Sequence, residues 1–178
     1  MSLMQRMRRF ARATGGLAAL EFAIILPMMI FLLFGSIELI DMVIANRRVQ
    51  NVAASVADVI SRDTSVSDDE ITGIWSATEV LMYPESVSTL RTRVSSISIV
   101  DASTARVVWS EGHGLVARGE DTTVDLPDQM MVPGTSIIFA ETEFDYVPVI
   151  GILQTSNMRM IHDAYRRSRL IDPIARDD

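Results

Sequence analysis

The sequence predicts an α+β protein: a long N-terminal helix, a small antiparallel-sheet head and one further helix. Three observations predict it. Residues 17–37 are almost uncharged and continue into a stripe of apolar residues at alternating steps of three and four. Ser67-Asp68-Asp69-Glu70 has the spacing of a capping box and opens a second helical pattern. From Arg91 onward the apolar period falls to two, the signature of half-buried strands. The chain has 178 residues, 48% hydrophobic and 22% charged, which suits one ordinary domain with an added segment and excludes bulk disorder.

The first helix is expected over Leu17 to Arg62. Its opening part, Leu17 to Ile37, carries Glu21 as its one charge. As a helix it would extend about 30 Å, the thickness of a bilayer's hydrocarbon core. Arg6, Arg8, Arg9 and Arg12 precede it with no acid, and the next arginine is Arg47. By the positive-inside bias the N-terminus stays in the cytoplasm and everything after Ile37 is exported. A buried core helix or a removable secretory signal are the alternatives. Signals have a shorter apolar region and end in a small-x-small site, and residues 36–45 offer no convincing one. Pro27 is the position where such a helix would kink.

Beyond the span, Met42, Ala45, Val49, Val52, Val56 and Val59 form one apolar stripe while Arg47, Arg48, Gln50, Asn51, Asp58 and Arg62 occupy the other faces. This amphipathic continuation, residues 38–62, should lie against a soluble head comprising residues 63–178. In the second helix Ile71, Ile74, Trp75, Thr78, Leu81 and Met82 make the expected buried stripe, Trp75 is read as core, and Pro84 marks the exit. Arg93 to Val100 and Val107 to Ser110 read as a hairpin about a polar turn. Glu111 to Pro133, with its glycines, acids and prolines, reads as a long surface loop containing His113. Ser136 to Tyr146 alternates cleanly, placing Ile138, Ala140, Thr142, Phe144 and Tyr146 on one side and Glu141, Glu143 and Asp145 on the other. Met158 to Arg169 closes an antiparallel sheet of about four strands. Arg166, Arg167 and Arg169 either pair with the acidic body or form an exposed basic edge.

Composition removes most enzyme classes. There is no cysteine, and all sixteen basic residues are arginine, so thiol nucleophiles, thiolate zinc sites and lysine Schiff bases are unavailable. No nucleophile elbow, metalloprotease helix, Walker loop or dinucleotide fingerprint occurs. Glu120, Asp121, Asp125 and Asp128 lack EF-hand spacing, and Glu141 with Glu143 reads as solvated charge rather than as a carboxylate pair for glycoside hydrolysis. No enzymatic activity, cofactor, metal or small-molecule substrate is expected. The charge is +4 over residues 1–16, −1 over 17–37 and −10 over 38–178. The acidic body also argues against nucleic acid as a partner.

The informative residue is Glu21. A carboxylate in an apolar span costs about 2.5–3.5 kcal/mol on insertion scales unless it is paired or neutralised. If the chain were cut after Gly16, the new ammonium of Leu17 would lie four residues away on the same helix face. That charge could serve its own chain or a neighbour in the membrane; protonation of Glu21, or its snorkelling to the interface, is the competing account.

Gly16 followed by Leu17-Ala18-Ala19-Leu20-Glu21-Phe22 resembles a type IV prepilin processing site, with glycine before the cut and glutamate fifth after it. More narrowly, residues 16–27, including Phe22 and Pro27, resemble the opening of TadE-like minor pseudopilins of the tight-adherence (Tad, Flp or type IVc) pilus systems. The resemblance is strong over about residues 6–45 and diffuse beyond. It implies a pilin-like fold, removal of the 1–16 leader by a prepilin peptidase, and a single-pass protein of the bacterial inner membrane with its head outside the cytoplasm. Partners would be the membrane, other pilins or pseudopilins and the inner-membrane assembly platform. An unprocessed, single-pass membrane-anchored periplasmic binding or scaffold protein remains the alternative, and TadE-like and TadF-like subunits are not distinguished.

Overall fold

In the computed structural model, Met4, Gln5, Met7 and residues 16–177 are described. Helix α1 runs without a break from Leu17 to Ile60, with Pro27 inside it. At 1.5 Å per residue its 44 residues span about 66 Å. It stops two residues short of Arg62, at Ser61, whose N–H donates to Ala57 O at 3.0 Å. Ala45, Val49, Val52, Ala53, Val56, Ala57 and Ile60 are its buried apolar face. The expected stripe is right as far as Val56. Val59 is exposed and Ile60 takes its place, because the step from Val56 that keeps to the docked face is four rather than three.

A two-residue strand β1 (Ser65–Val66) leads into α2 (Asp68–Met82). The capping box forms as the sequence predicts: Ser67 Oγ accepts from the Glu70 N–H, and Glu70 Oε2 accepts from the Ser67 N–H at 2.7 Å. This satisfies helix-end amides that would otherwise lack partners. Within the expected stripe, Ile71, Thr78 and Met82 are buried and Ile74 and Trp75 half-buried, whereas Leu81 is exposed. The helix packs on α1, with Trp75 reaching β3, and its buried face is narrower than the sequence pattern.

Strands β2 (Arg91–Ile99), β3 (Ala105–His113), β4 (Ser136–Tyr146) and β5 (Met158–Arg167) form one antiparallel sheet in the order β3-β2-β4-β5. The register pairs Val94 with Ala140 and Ala140 with Ala164, setting small and branched side chains side by side under α1. Strand β4 has the bounds the sequence predicts. Strand β3 is longer at both ends, so His113 terminates a strand instead of lying in a flexible loop, and its ring stacks on Trp75 at 5.6 Å. Strand β5 ends at Arg167, not Arg169, because the chain then turns toward the helix end and the Arg169 N–H donates to Ser61 O. Strand β6 (Ala175–Arg176) pairs in parallel with β1, a small second sheet the sequence does not announce.

The inner face of the sheet and α1 share the main core, closed by Trp109, whose Nε1–H donates to the carbonyl of buried Ile174 at 2.8 Å. The outer face carries a second apolar cluster. Val124, Leu126, Met130 and Met131 pack there against Ile97, Ile137 and Phe139. The segment read as a surface loop is thus a cover for the outer face of the sheet.

Candidate functional site along the stem

The predicted processing site lies where α1 begins. Gly16 precedes the first helical residue, with open space where a side chain would stand, and Leu17 starts the helix. Arg6, Arg8, Arg9 and Arg12 lie outside the described residues. Every residue from Gly16 to Phe34 is exposed, including Leu17, Glu21 and Phe22. Glu21 stands one helical turn from Leu17, as the spacing requires. Ion pairs among the described residues all lie from Arg48 onward, so Glu21 has no cation there. The helix is long and apolar enough to cross a membrane, and none of its most apolar stretch is covered by the head.

The head grips the stem just past that stretch. Glu38 is 3% exposed and its carboxylate accepts three backbone N–H groups, from Ile152 at 2.7 Å, Leu153 at 3.2 Å and Gln154 at 2.9 Å. The Gln154 bond, helped by the other two and opposed by burial, holds the Glu38 carboxyl below its ordinary range. Two turns along, Asn46 Oδ1 and His162 Nε2 share a hydrogen bond at 2.9 Å. Farther along, Asp58 takes a charge-assisted bond from Arg169 at 2.8 Å, with Arg62 and Arg166 beside it. These contacts resolve the basic end of the chain: Arg166 and Arg169 pair with the stem. Sequence reasoning missed Glu38, whose donors lie 114–116 residues away. The available signal was the charge-free run between Tyr146 and Met158, which follows a strand too regular to end in arbitrary loop.

The outer-face carboxylates are ordered rather than freely solvated. Glu141 receives Arg93 through two bonds of 2.7 Å and Arg118 through Nη2 at 2.9 Å and a second bond from Nη1. Burial alone would push Glu141 up, but the hydrogen bonds from Arg93 and Arg118 outweigh it and hold the carboxyl low. Arg118 also lies over the Phe139 ring at 4.9 Å. Asp145 bridges Arg91 and Arg159 at 2.9 and 3.0 Å. Arginines thus occupy the lone pairs that general acid or base chemistry would need. Among the described residues no group of three or more His, Asp or Glu is placed to hold a metal ion.

A bare apolar half-helix continuous with the spine of an α+β head defines a stem-and-head protein with one candidate membrane anchor. Residues 16–58 match the family model described as TadE-like protein. Over that stretch the chain is similar to TadE-like proteins, a family associated with the Tad pilus system; most of the head lies beyond the match. No curated protein and no solved structure matches the chain.

Proposed function

We propose that the protein is a minor pseudopilin that acts in assembly of a Tad pilus, after a prepilin peptidase removes the leader following Gly16. The observation that carries this reading is a coincidence of boundaries: the family match begins at Gly16 and α1 begins at Leu17. On this reading residues 17–37 hold the protein in the inner membrane, the basic leader faces the cytoplasm and the head is exported. Cleavage would generate an ammonium at Leu17 one turn from Glu21, within reach of pairing in its own chain or in a subunit packed alongside. The role is one of assembly, supporting pilus-based adhesion, and involves no catalysis.

Mass spectrometry of the protein purified from cells making the whole pilus apparatus is expected to find Leu17 at the N-terminus. An intact leader on protein from piliated cells would reject the processing step and favour the unprocessed anchored scaffold. Glu21→Ala is expected to leave the protein in the membrane fraction while lowering the number of pili. Wild-type piliation in that variant would remove Glu21 from the assembly role.

A further inference from the structure

The connection between β4 and β5 reads Val147-Pro-Val-Ile-Gly-Ile-Leu-Gln-Thr-Ser-Asn157, eleven residues without a charge. Val149 is 89% exposed, and Val147, Ile150 and Leu153 are exposed as well. Isolated exposed apolar residues are ordinary, but four in one short connection form a patch that needs a partner. We propose that this loop is a second membrane contact, inserted into the leaflet that faces the head, beside the point where α1 leaves the bilayer. The proposal rests on reading residues 17–37 as a membrane span.

Three observations favour lipid over water against the loop. The first is depth. Leu153 lies over Gly35, where a methyl group would stand 3.5 Å from Leu153 Cδ2, and Gly35 belongs to the apolar span itself. The loop therefore reaches back below the last residues of the span. The second is hydrogen bonding. Backbone N–H groups can approach hydrocarbon only when they have partners, and Glu38 occupies those of Ile152, Leu153 and Gln154. The same three bonds satisfy the carboxylate, so neither side of the clasp requires water. The third is the contrast with the opposite end of the sheet. There the β2–β3 turn, Asp101-Ala-Ser-Thr104, is polar, and Asp101 is satisfied by Ser103. The register sets Tyr146 and Met158 at the membrane end of the sheet and Ile137 and Arg167 at the far end. The connection at the end that meets the span is charge-free, unlike the β2–β3 turn, and the charges nearest it, Asp145, Arg91 and Arg159, are paired with one another.

Because the chain has no cysteine, single cysteines can report depth without background. Full-length Val149→Cys, Ile30→Cys and Ser103→Cys would each carry an environment-sensitive fluorophore in phosphatidylethanolamine and phosphatidylglycerol vesicles with brominated acyl chains. The expected result is strong quenching at Ile30, quenching at Val149 several-fold above that at Ser103, and a blue-shifted emission at Val149. Quenching at Ile30 with Val149 no different from Ser103 would overturn the proposal while leaving the span intact. Absence of quenching at Ile30 would instead overturn the span, and the proposal with it. A blue-shifted emission at Val149 without bromine quenching, lost on dilution to about one chain per vesicle, would overturn the lipid assignment in favour of a second copy of the chain.

Discussion

The two halves of α1 are equally helical and obey different rules. From Leu17 to Phe34 apolar residues surround the helix and every one is exposed, whereas from Ala45 to Ile60 most of them, Val59 excepted, lie on one face packed into the head. A helix apolar all round suits a solvent that is itself apolar, and a helix with one apolar stripe suits a boundary between core and water. The difference shows that one continuous backbone can be stabilised by two environments, with the change-over fixed by Gly35 and Glu38. The first is small enough to lie under Leu153. The second is bound by three backbone amides of the sheet connection.

The sharpest way to break this comparison is to put the same charge in each half. Val52 is wholly buried against the sheet, so Val52→Asp should cost at least about 4 kcal/mol, a large part of the roughly 5–15 kcal/mol that stabilises a typical domain. Circular dichroism should show loss of the folded head. Met29 contacts no part of the head, and Met29→Asp should leave the melting temperature of the head unchanged. Its effect should appear as a smaller membrane-inserted fraction, with a penalty of about 2.5–3.5 kcal/mol. Equal effects on head stability would mean that the two halves are not independent.

A smaller effect is expected at the change-over. The Glu38 carboxyl titrates below its ordinary value because of the amide bonds from Gln154, Ile152 and Leu153. A carboxylate with a lowered native pKa contributes stability above its unfolded value and loses it as pH falls through the native one. Protection of these three amides against hydrogen exchange, relative to the intrinsic rate at each pH, should therefore be high at neutral pH and fall in acid, below the ordinary carboxylate range. Glu38→Gln should speed exchange at neutral pH and flatten the pH dependence, while amides of Val52 and Val56 keep their protection. Unchanged exchange in the variant would show that packing of Leu153, not the clasp, holds the loop.

What could be read in the sequence follows the reach of each interaction. The capping box spans three residues, the strand Ser136–Tyr146 reveals its two faces through its own alternation, and Gly16 to Phe22 is a contiguous motif. Their information is local. The clasp at Glu38, the pairing of Ser65 with Ala175 and the bond from Trp109 to Ile174 join residues that only the finished topology brings together. Alternation correctly put Glu141 on the outer face of β4 but could not say what covers that face. Arg118 and the apolar residues of the 114–135 segment arrive there from a stretch with no periodicity. The stem divides in the same way, since the Gly16–Phe22 motif is local and the connection of the stem to the head is not.

The smallest effect lies on the side of the sheet away from α1, where the head can be altered without touching either half of the helix. Asp163 pairs in register with Glu141. Burial, then the neighbouring negative charge of Glu141, raise the Asp163 carboxyl above its ordinary value, even though Arg118, His162 and Arg93 pull the other way. An acid with a raised native pKa binds its proton more tightly when folded, so its ionisation subtracts stability as pH rises through the unfolded and native values. Asp163→Asn should accordingly raise the melting temperature slightly at neutral pH, and the gain should shrink as the medium is acidified below the ordinary carboxylate range. Since more than a third of the side chain faces solvent, screening keeps the effect small. Insertion of the Leu17–Ile37 stretch should not change. If Asp163→Asn instead destabilises the head at neutral pH, the attraction of Asp163 to Arg118 and Arg93 exceeds its repulsion from Glu141, and the outer face is held together by its acids as much as by its arginines.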